Sequence, residues 1–406
     1  MGKQIPVVTL ICLLTACGSQ HFGESGVGPV GGKADSPIAT KAWTYLLYGA
    51  GDNNLADGIL GDVNELESIG SSEEVNLVAF YDTPDGATIA YLERDEYDDF
   101  VSSPQASLGP ADSGHFQTVS DVLRWAMANY PADNFALIIG GHGGGAPRII
   151  APDDSTGSMI SVKQLGEALS FAPQRVNLLG ADACLMQTIE TAYELRHAVD
   201  VVVGSENVEP GEGWPHDRVA QALTDDPAMS ARQLGRTIVQ QYGQAYPSYG
   251  DVTLAAIDTA GVGLVKRRLS ELGAGLYASI RESDSNREAI EQALAATWHF
   301  VTVFDDNTEY HDQFIDLRNF QDELSKRLPY STLLGKMANV IFSVADALIE
   351  SYVANDLAGR AFGVSVFFPQ KDHVVPSIFK DYTAAYSLAR ESDWDGFLRN
   401  YYGLLQ

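Results

Sequence analysis

Two residues in this 406-residue chain have the type and setting for covalent chemistry. His142 ends the apolar run of FALIIGGHGGG (135–145), and Cys184 ends that of NLLGADACLM (177–186). A thiol attacks as its thiolate, and imidazole, titrating near neutrality, suits the transfer of its proton. Gly143, Gly144 and Gly145 after the histidine would let backbone approach a substrate closely. The N–H groups of Gly143 and Cys184 are the candidate donors to a developing oxyanion. A lone Cys is more often an inert buried hydrophobe, but here Gly180, Ala181, Asp182 and Ala183 precede it, small or polar residues of a strand end. One Cys and one His do not make a zinc site, which needs four ligands at close spacing. Neither G-x-S-x-G nor a Walker A sequence occurs to support a serine hydrolase or an NTPase.

The elements around these residues must bring them together. Residues 135–140 and 177–183 read as strands, and 161–171 between them as a helix, so a right-handed crossover would make the strands parallel. Their carboxyl ends then open on one edge of a sheet, where open α/β folds build sites. Upstream, WTYLL at 43–47 reads as a buried strand, followed by a helix to about residue 69 and strands at 76–81 and 88–93. A Ser/Pro-rich acidic loop is expected over 95–114 and a helix over 119–129. A helix over 186–198 would start beside Cys184 and favour its thiolate. From Met229 the pattern turns helical (230–246, 259–283, 286–299, 333–352), with strands at 252–257 and 363–368. Alternation of strand and helix predicts a mostly parallel α/β sheet.

The formal net charge of −28 argues against nucleic acid or an anionic bilayer surface as a partner. It suits a cationic substrate, or simply keeps the protein soluble. Cysteines number three, and Cys12 and Cys17 lie in a leader-like segment. Lys3 is followed by an apolar stretch too short to span a bilayer, then by LTAC (14–17), which resembles a bacterial lipobox. Lipidation of Cys17 is therefore expected, with Gly18 favouring the outer membrane or cell surface, and plain secretion as the alternative. The Gly/Ser/Pro-rich segment that follows reads as a tether. Its G-x-G-x-x-G (26–31) lacks the flanking strand and helix of a dinucleotide site. Cys184 is then the one unlipidated thiol of an exported protein, which excludes a disulfide within the folded part.

WTYLLYGAGDNNL, the step His142-Gly143, APDDSTG (151–157) and GADACLMQTIETAYEL (180–195) together resemble the clostripain-like cysteine peptidases of the caspase-like clan. So do SENVEPGEGWP (205–215), YHDQFIDL (310–317), GVSVFFP (363–369) and WDGFL (394–398). The resemblance implies a caspase-like α/β/α sandwich with helical C-terminal additions, and a dyad of Cys184 as nucleophile and His142 as base and acid. It also implies cleavage after Arg or Lys, with Asp182 at the floor of the pocket and one of Glu206, Glu209 or Glu212 supplying a second charge. Some relatives are cut internally after a basic residue, for which Arg148 is the candidate. Others need calcium, which the pairs Asp153-Asp154 and Asp305-Asp306 could bind; otherwise no cofactor or metal is expected. The chain divides into a lipoprotein signal peptide (1–16), a tether (17–41), a catalytic core (42–228) and a helix-rich part completing the sheet (229–406). A monomer acting on peptides or proteins is expected. The alternative is a surface binding protein that keeps this fold without turnover.

Overall fold

The structure is a computed structural model that describes residues 28–31, 39–95, 101–145, 150–247, 250–302, 311–329, 331–353, 359–371, 374 and 376–404. Fourteen strands are found there. β1 (Lys41–Ala50), β2 (Val75–Asp82), β3 (Ala87–Tyr91), β4 (Gln105–Gly109) and β5 (Ala132–Gly140) come first. The hairpin β6 (Ile150–Asp153) and β7 (Ser158–Ile160) precedes β8 (Val176–Asp182), β9 (Val199–Gly204) and β10 (Thr253–Asp258). β11 (His299–Thr302), β12 (His311–Asp316), β13 (Leu348–Val353) and β14 (Ser365–Phe367) complete the set.

Nine strands form one sheet in the order β13-β10-β9-β8-β5-β1-β2-β3-β4. Its five central strands, β9 to β2, are mutually parallel, and both flanks are antiparallel. Strands covered on both faces should read as continuous apolar runs, and β1 does so: every residue from Trp43 to Ala50 is buried. Its side chains alternate between two cores. Trp43, Tyr45 and Leu47 pack with the helices Ala56–Ile69, His216–Asp225 and Ala231–Ala245, whereas Leu46, Tyr48 and Ala50 pack with Phe116–Asn129, Val162–Ser170 and Thr259–Glu282. This is an α/β/α sandwich.

Register decides what meets at the carboxyl edge. Gly140 of β5 is aligned with Asp182 of β8, so His142 and Cys184 each lie two residues beyond a matched pair on neighbouring parallel strands. Likewise Gly49 of β1 aligns with Gly140, and Ala50 with Asp82 of β2. The C-terminal strands β10 and β13 extend the sheet beyond β9, and the helix Asp393–Tyr401 docks through Trp394, Phe397 and Tyr401 onto Phe368.

Three local expectations are corrected. The 95–114 loop contains β4, which pairs with β3. The helix expected over 333–352 ends at Ala347, and LIESYV continues as β13, whose pairing with β10 outweighs the run of helical spacing. The helix after Cys184 begins only at Ile189, capped by Thr188, and spans seven residues.

Candidate active site

At the end of β5 the chain turns through Gly141, whose φ of 141° is in glycine territory and whose N–H donates to the Asp182 carbonyl at 3.1 Å. A side chain there would come within 2.9 Å of the Ala50 carbonyl. His142 follows, half-buried, with Nε2 at 2.7 Å from Asn54 Oδ1. An amide oxygen accepts, so this bond assigns the proton to Nε2 and leaves Nδ1 as the basic nitrogen. Gly143 lies directly against the next strand end: a Cβ would strike the Cys184 carbonyl and come within 2.9 Å of Ala183 Cβ. Only glycine permits that approach. His142 and Cys184 thus line one cleft of about 230 Å³, together with Leu55, Asp62, Asp182 and Glu209.

Cys184 is a half-buried free thiol, and the backbone N–H of Glu209 donates to its sulfur at 3.2 Å. Burial pushes the thiol up, the Asp182 charge adds to this, and the Glu209 N–H opposes it. Burial moves His142 the other way, below its ordinary value, against the pull of Asp154. Both shifts favour the neutral thiol and the neutral imidazole over an ion pair. The expected helix-terminus assistance to the thiolate is absent for a geometric reason. Leu185 adopts φ 64°, and the N–H groups of Leu185 and Gln187 donate to the carbonyls of Asn207 and Ser205. A non-helical segment therefore separates Cys184 from the short helix.

The carboxylates sort into separate places. Asp182, 6% exposed, lines the cleft, and its Oδ2 accepts from the Trp214 N–H at 2.9 Å and from His216 Nε2 at 3.1 Å. Glu209 also lines the cleft, with Oε1 at 3.4 Å from Trp214 Nε1; burial, then Asp182 and Cys184, hold its carboxyl well above the usual range. Glu206 is elsewhere. It is 1% exposed, accepts from the Gly363 N–H at 2.7 Å and abuts Asp316, tying the loop after β9 to the C-terminal part. Glu212 is exposed and does not line the cleft. Arg148, Cys17, Asp305 and Asp306 fall outside the described residues.

Three residues in or beside the cleft escaped the sequence reading. Asn54 orients His142 from the loop after β1. Asp62 lines the cleft beside Asp182, and His216 joins both in a buried cluster. Asp62 had a signal: an acid within the apolar face Ile59, Val63 and Leu66 of one helix. His216 is fully buried, bonded through Nδ1 to the Tyr45 hydroxyl at 2.9 Å and through Nε2 to Asp182. Both nitrogens being engaged, it is a poor metal ligand. Burial would lower it, but the Asp182 hydrogen bond and the charges of Asp62, Asp182 and Glu65 outweigh this and bring it up to about 9. It is therefore cationic at neutral pH. Asp62 is itself held well above the carboxylate range, first by burial, with His216 opposing.

An α/β/α sandwich with a Cys and a His sharing a cleft at the carboxyl edge, in a chain that matches the clostripain family, is that of a cysteine-type peptidase. The clostripain family profile matches residues 47–401, and the chain belongs to that family. It is 22% identical to clostripain of Hathewaya histolytica, an alignment covering 86% of this chain and 78% of that protein. Among solved structures it is similar to a secreted C11 cysteine protease from Bacteroides thetaiotaomicron held by an irreversible peptide inhibitor. That match has TM-score 0.63 and 23% identity, over 87% of this chain and all of the other. An inactive zymogen C11 protease from Parabacteroides distasonis matches with TM-score 0.64 and 18% identity, over 88% and 99% of the two chains.

Proposed function

We propose that this peptidase hydrolyses peptide bonds after Arg or Lys, with Cys184 as nucleophile and His142 as base and then acid. The observation that carries this is the content of one cleft: His142, Cys184 and the carboxyl groups of Asp62, Asp182 and Glu209, with no Lys or Arg among the lining residues. A cationic side chain entering it meets the carboxyls of Asp62 and Glu209, which burial has made reluctant to ionise alone, and its charge favours their ionised forms. His216⁺ behind Asp182 offsets part of the negative charge and fixes the carboxylate's orientation.

The substrate carbonyl is attacked by sulfur as the thiol proton passes to His142 Nδ1. Tetrahedral O⁻ is stabilised by the N–H groups of Gly143 and Cys184. Support for Gly143 is that its bridge to Ile150 is made by the Ala151 N–H and the His142 carbonyl, so that bond does not occupy its own N–H. His142 then protonates the leaving amine, and water, activated by the same nitrogen, releases the acyl group. Action as a monomer is part of the same proposal. Export and anchoring through lipidated Cys17, and internal processing after Arg148, belong to the same proposal; fatty-acid labelling of Cys17→Ala and N-terminal sequencing of the mature chain test them.

Hydrolysis of fluorogenic peptides with Arg, Lys, Asp, Asn or Leu before the cut, by wild type and Cys184→Ala, tests the whole. Turnover of the basic substrates alone, lost in the variant, is expected. Turnover after Asp or Asn would overturn the pocket assignment.

A further inference from the structure

Glu206 and Asp316 are acids that the cleft does not use, each 1% exposed, and they meet where the loop after β9 touches the C-terminal part. Two successive backbone N–H groups cradle them. That of Phe362 donates to Asp316 Oδ2 at 2.9 Å, and that of Gly363 to Glu206 Oε2 at 2.7 Å. Gly363 has φ 103°, and a Cβ there would stand 3.1–3.2 Å from Leu348, Ala255 and Ser351, so the cradle needs glycine. Asp316 Oδ1 is taken as well, by the Asn319 N–H at 2.8 Å, which caps the helix Leu317–Arg327. Glu206 Oε1 is shut from solvent and meets no N–H or hydroxyl donor. Among the described residues no Lys or Arg forms an ion pair with either acid. Two carboxylates side by side in that setting repel, whereas one proton between them makes a charge-assisted O–H···O bond.

The place of Glu206 in the chain gives that bond a consequence. Its two neighbours hold the turn after the cysteine: the Ser205 carbonyl accepts from the Gln187 N–H at 2.9 Å, and the Asn207 carbonyl from the Leu185 N–H at 3.1 Å. Three residues on, the Glu209 N–H donates to the sulfur of Cys184. The loop that sets the position of the thiol is therefore pinned to the C-terminal part through the Glu206 side chain.

We propose that one proton shared between Glu206 and Asp316 fastens the loop after β9 to the C-terminal part, which makes Glu206 a positioning residue for Cys184 and lets alkali release the fastening. The effect on catalysis rests on the proposed role of Cys184; the shared proton does not. Burial, then Asp316, hold Glu206 well above the usual carboxylate range, with the Gly363 N–H opposing. Burial brings Asp316 up to about 6 against the Asn319 N–H and the Glu206 hydrogen bond, so the proton resides on Glu206. The stability it contributes is full below the carboxylates' unfolded range, about 4, and is lost to solvent with the proton as pH rises through about 6 and above. Other titratable groups face this junction. Glu209 shares the loop, Asp251 and Glu350 flank it from beside β10 and from β13, and His299 is on β11 beside β12. Arg318 and Arg360 lie over the rings of Phe362 and Trp298. Glu190, bonded to the Phe367 N–H and Tyr382, is brought up to about 7 by burial and titrates in the same range. A difference between wild type and a Glu206 variant cancels all of these.

The test compares full-length wild type, Glu206→Gln and Glu206→Met by thermal melting between about pH 5.5 and about pH 9 and by kinetics on an Arg substrate. Gln donates to Asp316 from its amide, keeps the Gly363 N–H on its oxygen and cannot ionise. Met has similar length and makes neither bond. Relative to wild type, Glu206→Gln is expected to gain about 2 °C or more in melting temperature between the lower and the higher pH, because only wild type loses a proton there. Glu206→Met should lower kcat by about tenfold or more with little change in KM, and Glu206→Gln should restore it. A melting difference between wild type and Glu206→Gln that does not change with pH overturns the shared proton. Wild-type kcat in folded Glu206→Met overturns the positioning of Cys184. Asp316→Asn gives the same melting comparison should Glu206→Gln fail to fold, and Glu206→Ala replaces Glu206→Met in the same way. If wild type cleaves no peptide, the peptidase reading fails, and the melting comparison still decides the shared proton.

Discussion

Asp182→Asn should lower stability in a pH-dependent way, and the size of the effect follows from His216. In the folded protein His216 is raised from 6.5 to about 9, so its protonation stabilises the fold fully below about pH 6.5. That contribution is lost as pH rises through about 9. At about 1.4 kcal/mol per unit, the whole linkage is on the order of 3 kcal/mol. The Asp182 hydrogen bond is the largest influence raising it, and the Asp182 charge adds to that. Removing them should therefore cost on the order of 2 kcal/mol at about pH 6, comparable with a hydrogen bond to a charged group. Asn still accepts from the Trp214 N–H, so that hydrogen bond survives the change. Urea unfolding of both proteins at about pH 6 and about pH 9.5 reads the difference. The gap between them should largely close at the higher pH. An equal gap at both would refute a cationic His216 held by Asp182.

Gly143→Ala should lower kcat by about 10²-fold or more with little change in KM, because the added methyl displaces the Cys184 carbonyl and with it the N–H groups proposed to hold the oxyanion; steady-state kinetics on an Arg substrate checks it. The acid limb of kcat/KM should have its midpoint below 6.5, since burial lowers His142 and the imidazole must be neutral to accept the thiol proton. Asp154 raises His142, so Asp154→Asn should move that limb further toward acid, which a pH–rate profile will show.

The strand ends were legible because each is an apolar run stopped by small residues, and the parallel register then places His142 and Cys184 side by side. Asp182 entered the sequence reading only through the resemblance to the clostripain-like peptidases, and the structure places its side chain in the cleft lining. The turn after Cys184 was not legible: 186–198 carries helical spacing, but Asn207 and Ser205, distant in the chain, take the N–H groups that a helix start would have left free. Glu206, Glu209 and Glu212 are interchangeable in composition, and only the fold sends Glu209 to the cleft and Glu206 to Asp316. Asp62 and His216 lie on or at the start of helices that pack against each other, so their meeting with Asp182 is a tertiary fact.

A peptide ending in Arg and carrying a thiol-reactive ketone, compared with its Leu counterpart, probes nucleophile and pocket in one reaction. Mass mapping of the inactivated protein should find the adduct on Cys184, formed much faster with the Arg peptide, and Asp182→Asn should erase that preference. Equal rates with Arg and Leu, or an unmodified Cys184 in an inactivated protein, would contradict the account.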